Sequence, residues 1–337
     1  MLFCFRSSKL VLFLLSLLFC PLASASRGDQ LDKFQACVKE NIAHRCTQDG
    51  YRLQSGQLPL ALRLTGWTCA SDIDYQCQRA ITDYMVKNGE EVEQFHGKWP
   101  FHRVLGIQEP ASVLFSILNG YVHVRGLRKV RAQVSSAFPM RRFYVIFAYV
   151  GMNAWLWSTI FHIRDFNFTE KMDYFSAGAY VLYGLFYAVI QVFQLYKRPS
   201  YHLFLVIWAA VCLVCYLAHI GYLTFVIFDY GYNMLANVVV GSLHGLIWLF
   251  YSLCKGHLSP KSPAHGRVAK QPAPIVLMLA CAMALELLDF SPWFFMIDAH
   301  SLWHLATIPI TAMWYNFLVS YAMLHQSEVD KSLRALL

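Results

Sequence analysis

Beyond residue 103 the sequence is a succession of seven apolar stretches, at about 104–124, 143–163, 173–195, 201–223, 231–254, 273–297 and 299–324. Each is long enough to cross the hydrocarbon core of a bilayer as an α-helix. Backbone groups in lipid must be bonded within their own segment, so the predicted fold class is an all-α membrane protein with seven transmembrane helices. The composition of the 337-residue chain agrees: 57% apolar and only 14% charged, a balance that excludes a soluble enzyme, a disordered chain and a nucleic-acid-binding protein. Gln108, Glu109 and Pro110 make the first stretch the weakest and allow it to begin later than these bounds.

The chain ahead of these stretches reads differently. Arg6 and Lys9 precede an apolar run from Leu10 to Phe19, and Ala23-Ser24-Ala25 offers the small residues of a cleavage site, so residues 1–25 read as a secretory signal peptide. The run is short for a spanning helix, and the mature chain is expected to begin near Ser26 in the secretory lumen. Residues 26–102 have the composition of a small lumenal module and carry Cys37, Cys46, Cys69 and Cys77, an even set that in an oxidising compartment reads as two disulfides. If the two cysteine-bearing segments form a helical hairpin, antiparallel packing favours Cys37 with Cys77 and Cys46 with Cys69, but the sequence leaves the connectivity open. Cys212, Cys215, Cys254 and Cys281 fall in or beside apolar stretches and read as inert buried thiols.

Lys and Arg concentrate in cytosolic loops, which makes their distribution a test of orientation. One set of loops with the tail carries fourteen: Arg125, Arg128, Lys129, Arg131, Arg141, Arg142, Lys197, Arg198, four within 255–272, Lys331 and Arg334. The alternate loops carry Arg164 and Lys171. The expected organisation is a lumenal module at 26–102, a seven-helix transmembrane domain at 103–325 and a cytosolic tail at 326–337, with the N-terminus lumenal. This is a multi-pass protein of a secretory-pathway membrane, and the sequence does not separate endoplasmic reticulum from Golgi. Asn167-Phe168-Thr169 is a glycosylation sequon in a lumenal loop, so near the bilayer that its use is not expected. The stretch from Ser259 to Pro274, rich in Pro, Ser and Lys, reads as a flexible cytosolic linker.

Ionisable side chains within spanning segments are costly and mark cavities or partners. Here they gather at the lumenal ends: Ser158 and His162 close the second stretch, Asp173 opens the third, and His300 and His304 open the seventh. Positions i and i+4 share a helical face, so Ser158 stacks with His162 and His300 with His304, and three imidazoles can converge. Three histidines with an open fourth position form a catalytic zinc arrangement, in which Asp173 would act as general base and Ser158 would hydrogen-bond the water or the developing oxyanion. Taken alone, His-x-x-x-His on an apolar helix more often marks interhelical hydrogen bonds; the third histidine and the carboxylate at matching depth favour the metal. His219 and His244 have no partner at this spacing and read as packing or hydrogen-bonding residues.

The runs FHGKWPF (95–101), QEPAS (108–112), NAWLWSTIFHIRD (153–165), TEKMDYFSA (169–177), FDYGYN (228–233) and ELLDFSPWFFMIDAHSLWHLATIP (286–309) resemble the post-GPI-attachment phospholipase family, the Per-like proteins. That family is in turn similar to the seven-helix zinc hydrolases that include alkaline ceramidases and adiponectin receptors, whose Ser-x-x-x-His, Asp and His-x-x-x-His pattern is met at Ser158, His162, Asp173, His300 and His304. The resemblance implies a GPI-specific phospholipase A2 that removes the sn-2 fatty acid from the phosphatidylinositol of a GPI anchor. Zinc would be held by His162, His300 and His304, with Asp173 as base and Ser158 as oxyanion or water partner. GPI lipid and GPI-anchored proteins would be its substrates. Asp229, Glu286, Asp289 and Asp298 read as structural.

The sequence departs from the family where Asn41 and Ile73 stand in place of cysteines. Their joint loss implies that the two positions are neighbours and that two bridges remain. Two other readings keep the same zinc site: a cargo-binding or structural factor in which the metal braces the bundle, and a ceramidase-like amidase.

Overall fold

The computed structural model describes residues 26–197, 199–258, 261–287 and 289–334; the expected signal peptide, 1–25, lies outside them. Among the described residues the protein is helical, with isolated bridges in place of strands.

The N-terminal module is a hairpin of α1 (Asp32–Arg45) and α3 (Cys69–Asn88), with short α2 (Leu60–Leu64) between them. Thr68 and Ser71 form a capping box that starts α3, and Gly89 at φ 71° ends it in the left-handed conformation that glycine adopts without strain. Cys37 is bridged to Cys77 and Cys46 to Cys69, around a small core that includes Phe34, Ile73 and Phe95. In an antiparallel hairpin with Cys37 facing Cys77, one helical turn further along each helix brings Asn41 level with Ile73.

The long helices are α4 (Pro110–Gln133), α5 (Arg141–Ile163), α6 (Asn167–Val192), α7 (His202–Phe225), α8 (Tyr230–Tyr251), α10 (Pro272–Leu287) and α11 (Ala299–Arg334); short α9 (Pro263–Lys270) precedes α10. Among the described residues, five segments are long and apolar enough to cross a membrane: Arg141–Ile163, Asn167–Val192, His202–Phe225, Tyr230–Leu258 and Pro263–Glu286. The fold is that of a multi-pass membrane protein. Neighbouring contacts run α4 to α5, α5 to α6, α6 to α8, α8 to α10, α10 to α11 and α11 back to α4, a closed ring of six helices, and α7 packs outside it against α6. α7 is the most apolar of the five and almost none of it is buried by protein, as expected of a helix that faces lipid around most of its circumference. The ring's core, in the half away from the module, is aromatic: Tyr144, Tyr187, Trp248, Tyr315, Phe317 and Tyr321 are fully buried. Polar pairs form within it, Tyr144 donating to Gln191 Oε1 at 3.0 Å and Trp314 Nε1 to the Tyr187 hydroxyl at 2.5 Å.

Several sequence-based bounds are corrected. The first helix starts at Pro110, where proline suits the first helical position, and runs on through four basic residues to Gln133. The sixth stretch stops being helical at Leu287; residues 289–298 are a turn-rich segment tied to the module through Asp289 and Phe295, and its Trp293 and Phe294 side chains are exposed. Much of the expected linker, Ser259 to Pro274, is helical: Ser262 caps α9 by accepting from His265 N, and α10 begins at Pro272, while a π-helical turn at Ser252–Leu258 precedes it. The free thiols are not all buried. Cys212 is, while Cys215 and Cys281 lie on the outer surfaces of their helices.

Candidate metal centre

The ends of α5, α6 and α11 that carry the sequence-derived residues meet beneath the module. His162 lies in the last turn of α5, Ser158 one turn before it on the same face, and His300 and His304 in the first turns of α11. One ligand nitrogen from each histidine lies within 4.8 Å of the other two, and His162 Nε2 is 3.4 Å from His300 Nε2. A metal–nitrogen distance of about 2.0–2.1 Å in a tetrahedron sets ligand nitrogens about 3.4 Å apart, so the spacing suits an ion of zinc's size.

The outward nitrogens carry the stronger argument. His162 Nδ1 is 2.8 Å from Glu109 Oε2, and His300 Nδ1 is 2.7 Å from Glu286 Oε2. His304 Nδ1 is 3.0 Å from the Ser116 hydroxyl. An ionised carboxylate only accepts, which places the His162 and His300 protons on Nδ1 and leaves the Nε2 lone pairs free. The donor set therefore fits a divalent cation, with each ring oriented from behind. His162 and His304 are buried, and half-buried His300 stands at the mouth of the site.

Further contacts lock the helices together. Asn119 of α4 donates to the His304 carbonyl at 2.8 Å and accepts from Thr307 at 3.2 Å, while Trp155 stands edge-on to the His304 ring. Asp173 is half-buried in the second turn of α6. Ser158 bonds Ser116 at 3.0 Å and so reaches His304 through one hydroxyl. Asn167 is exposed at the start of α6, and the Thr169 hydroxyl of its sequon accepts from Phe166 N at 2.9 Å.

Of the four acidic residues read as structural, three match that reading. Asp229 caps α8, Asp298 caps α11, and Asp289 accepts from Gln94 and Trp99. Glu286 instead reaches His300. Glu109 and Ser116 were also missed as imidazole partners; each lies on a different helix or loop from its histidine, and no local spacing announces such a contact. His219 bonds Asn233, and His244 accepts from Trp248, away from the three-histidine cluster.

Lys98 closes the site from the module side. Its ammonium lies 2.7 Å from Glu109 Oε1 and 3.0 Å from Asp165 Oδ2. Burial works to lower its pKa, and the two carboxylates more than offset this, so Lys98 is held charged above the usual lysine range.

A helical ring that includes several membrane-type helices, with three histidines gathered at one end, defines a multi-pass membrane protein with a candidate metal centre. The chain belongs to the Per1-like family, which matches residues 59–322. It is 42% identical over 296 residues to the protein PER1 homolog of Schizosaccharomyces pombe, covering 88% of this chain and 87% of that protein. It is 40% identical over 311 residues to GPI-specific phospholipase A2-like PGAP3 of Danio rerio, covering 92% and 94% of the two chains. With the human protein of the same name it shares 37% identity over 309 residues, 91% and 93% of the two. No solved structure matches the chain.

Proposed function

We propose that this protein is a zinc-dependent phospholipase A2 that remodels GPI anchors, hydrolysing the sn-2 acyl ester of their phosphatidylinositol to a free fatty acid and a lyso-GPI. The observation that carries the reading is the arrangement of three imidazoles, each offering a nitrogen within 4.8 Å of the other two and each held at Nδ1 by a partner of its own. The relatives named GPI-specific phospholipase A2-like support the substrate class.

His162, His300 and His304 would hold the ion, which when bound supplies Lewis acidity at the ester carbonyl and a water with its pKa lowered to about 7. Asp173 takes a proton from the attacking water as the water oxygen bonds to the carbonyl carbon, and returns it to the sn-2 oxygen as the ester C–O bond breaks. Ser158, backed by Ser116, offers a hydroxyl donor to the developing oxyanion. Trp155 and the buried walls around His304 keep bulk water from that side of the site.

The membrane arrangement belongs to the same reading. Seven helices span the bilayer, with the signal peptide removed, the disulfide-bonded module in the lumen of the endoplasmic reticulum or Golgi, and the basic loops and tail in the cytosol. The centre then lies at the depth of the lumenal leaflet, where GPI-anchored proteins present their lipid.

The test is the lipid composition of GPI anchors in cells lacking the protein, complemented with the wild type or with His300→Ala at matched expression. The wild type is expected to remove the unsaturated sn-2 chain and His300→Ala to leave it in place. Normal remodelling by His300→Ala would overturn the catalytic reading.

A further inference from the structure

The N-terminal module does more than sit above the bundle. Residues 94–102 touch both histidine-bearing segments. On one side is Lys98 with Glu109 and Asp165. On the other, Trp99 Nε1 donates to Asp289 Oδ1 at 2.6 Å, Gln94 to Asp289 Oδ2 at 2.7 Å, and His102 N to the Phe295 carbonyl at 2.8 Å. Asp289 and Phe295 lie in the segment that joins Glu286 to His300.

The stretch is rigidly shaped. Phe95 and Lys98 exchange backbone hydrogen bonds at 2.8 and 2.9 Å around a two-residue turn in which His96 and Gly97 both have positive φ, 51° and 77°. Positive φ at both central positions is the tight hairpin turn that fixes the direction of the residues flanking it. Asp29 accepts from His96 N at 2.9 Å, and Arg79 donates to the Pro100 carbonyl at 2.6 Å. The ammonium of Lys98 is thus delivered from a braced loop, over the face of Phe161 at 4.1 Å from the ring centroid.

Glu109 divides its carboxylate between two partners, Oε1 to Lys98 and Oε2 to His162 Nδ1, and is 6% exposed at its side chain. Its backbone is tied to the same helix end, Glu109 N donating to the His162 carbonyl at 3.1 Å. A buried carboxylate with one free oxygen can rotate and leaves a charge uncompensated; with both oxygens engaged it has one orientation. We propose that Lys98 is a positioning residue for the centre, fixing through Glu109 the orientation and tautomer of His162, so that the module forms part of the site. This rests on the metal-centre reading given above.

The experiment uses the full chain in lipid nanodiscs and compares wild type, Lys98→Met and Lys98→Arg. Zinc affinity is read by competition with a chromophoric chelator. The ring nitrogens of His162 are read by NMR on metal-free protein carrying 15N-histidine, with His162→Gln supplying the assignment. Turnover is read as release of the sn-2 fatty acid from a synthetic glycosylated phosphatidylinositol. In Lys98→Met, zinc affinity and kcat are each expected to fall about tenfold to hundredfold, with KM changed less than about twofold and the His162 nitrogen signals shifted; Lys98→Arg is expected to restore most of each. A folded Lys98→Met with wild-type zinc affinity and unshifted His162 signals would reduce Lys98 to a staple and overturn the proposal. Should Lys98→Met fail to fold, Lys98→Ala, which removes the donor and leaves room for water beside both carboxylates, carries the same expectation and the same reversal. If wild type binds zinc but releases no fatty acid, the hydrolase reading fails while affinity and NMR still decide the role of Lys98; if it binds no zinc, the NMR signals decide alone.

Discussion

Glu286 Oε2 stands 2.7 Å from His300 Nδ1, and Glu109 Oε2 stands 2.8 Å from His162 Nδ1, so two imidazoles from different helices are held by the same chemistry. A carboxylate behind a ligating imidazole fixes the ring and raises the basicity of its far nitrogen. Replacing Glu286 with Gln keeps the size of the side chain but removes the charge and lets an N–H group face Nδ1. Zinc affinity, measured by chelator competition, is expected to drop about tenfold to hundredfold in Glu286→Gln while the melting temperature stays near that of wild type. Unchanged affinity would return Glu286 to the structural role that its sequence context suggested.

The histidines themselves were legible in the sequence because i, i+4 spacing and position along an apolar stretch are local properties, and both survive folding. Their partners were not. Glu109 and Ser116 meet His162 and His304 only because α4 packs against α5 and α11. Hydropathy misjudged the sixth stretch for a related reason: Phe290, Trp293, Phe294 and Phe295 are as apolar as a spanning helix, and only the fold reveals that this stretch turns back beneath Trp99 and His102. The disulfide pairing became fixed once α1 and α3 formed a hairpin, a step that cysteine counting cannot take.

Close helix packing makes Gly151 a sharp test of the bundle. A Cβ there would clash with the His123 ring, which is fully buried between α4 and α5 and bonded to the Tyr315 hydroxyl at 2.8 Å. The ring cannot retreat without losing that bond, so Gly151→Ala is expected to destabilise by about 1–3 kcal/mol, the usual range for overpacking. Gly221 is the control, with nothing within 4 Å of its Cβ position on helix α7. Gly221→Ala is expected to be neutral or stabilising by up to about 1 kcal/mol, because alanine suits a helix interior better than glycine. Thermal melts of the two variants in one detergent make the comparison, and equal melting temperatures would argue against the packing around His123.

The hairpin register makes a separate prediction about the module. Asn41 and Ile73 stand one turn along from the Cys37–Cys77 bridge on facing helices, and Ile73 is buried in the module core. The double variant Asn41→Cys, Ile73→Cys is expected to form a third disulfide, visible as the loss of two thiols by alkylation and mass spectrometry under non-reducing conditions. Stabilisation should be well below the roughly 3 kcal/mol of an isolated crosslink, because the existing bridges already constrain the unfolded hairpin. Two reactive thiols at these positions in the folded variant would show that the side chains point apart.

His96 links two acidic residues of the module and gives it a pH dependence of defined sign. Its Nε2 lies 3.0 Å from Asp74 Oδ2 and its Nδ1 3.4 Å from Asp29 Oδ1, with the Phe34 ring edge-on. The hydrogen bond that His96 donates to Asp74 raises the imidazole pKa above its ordinary 6.5; burial opposes this, and the charges of Asp74 and Asp29 add to the rise. A group whose pKa is raised by folding stabilises the folded state fully below the unfolded value and loses that contribution as pH climbs through the folded one. The module should therefore be most strengthened by His96 on the acidic side of pH 6.5 and progressively less above it. With 57% of the His96 side chain exposed, the effect belongs to the class of surface pairs, about 0.2–1 kcal/mol, and should shrink as salt is added. Melting temperatures of wild type and His96→Gln across this range make the test. The gap between them is expected to be widest in acid and to narrow with rising pH, while a gap independent of pH would assign His96 a role through its left-handed backbone at φ 51° rather than through its charge.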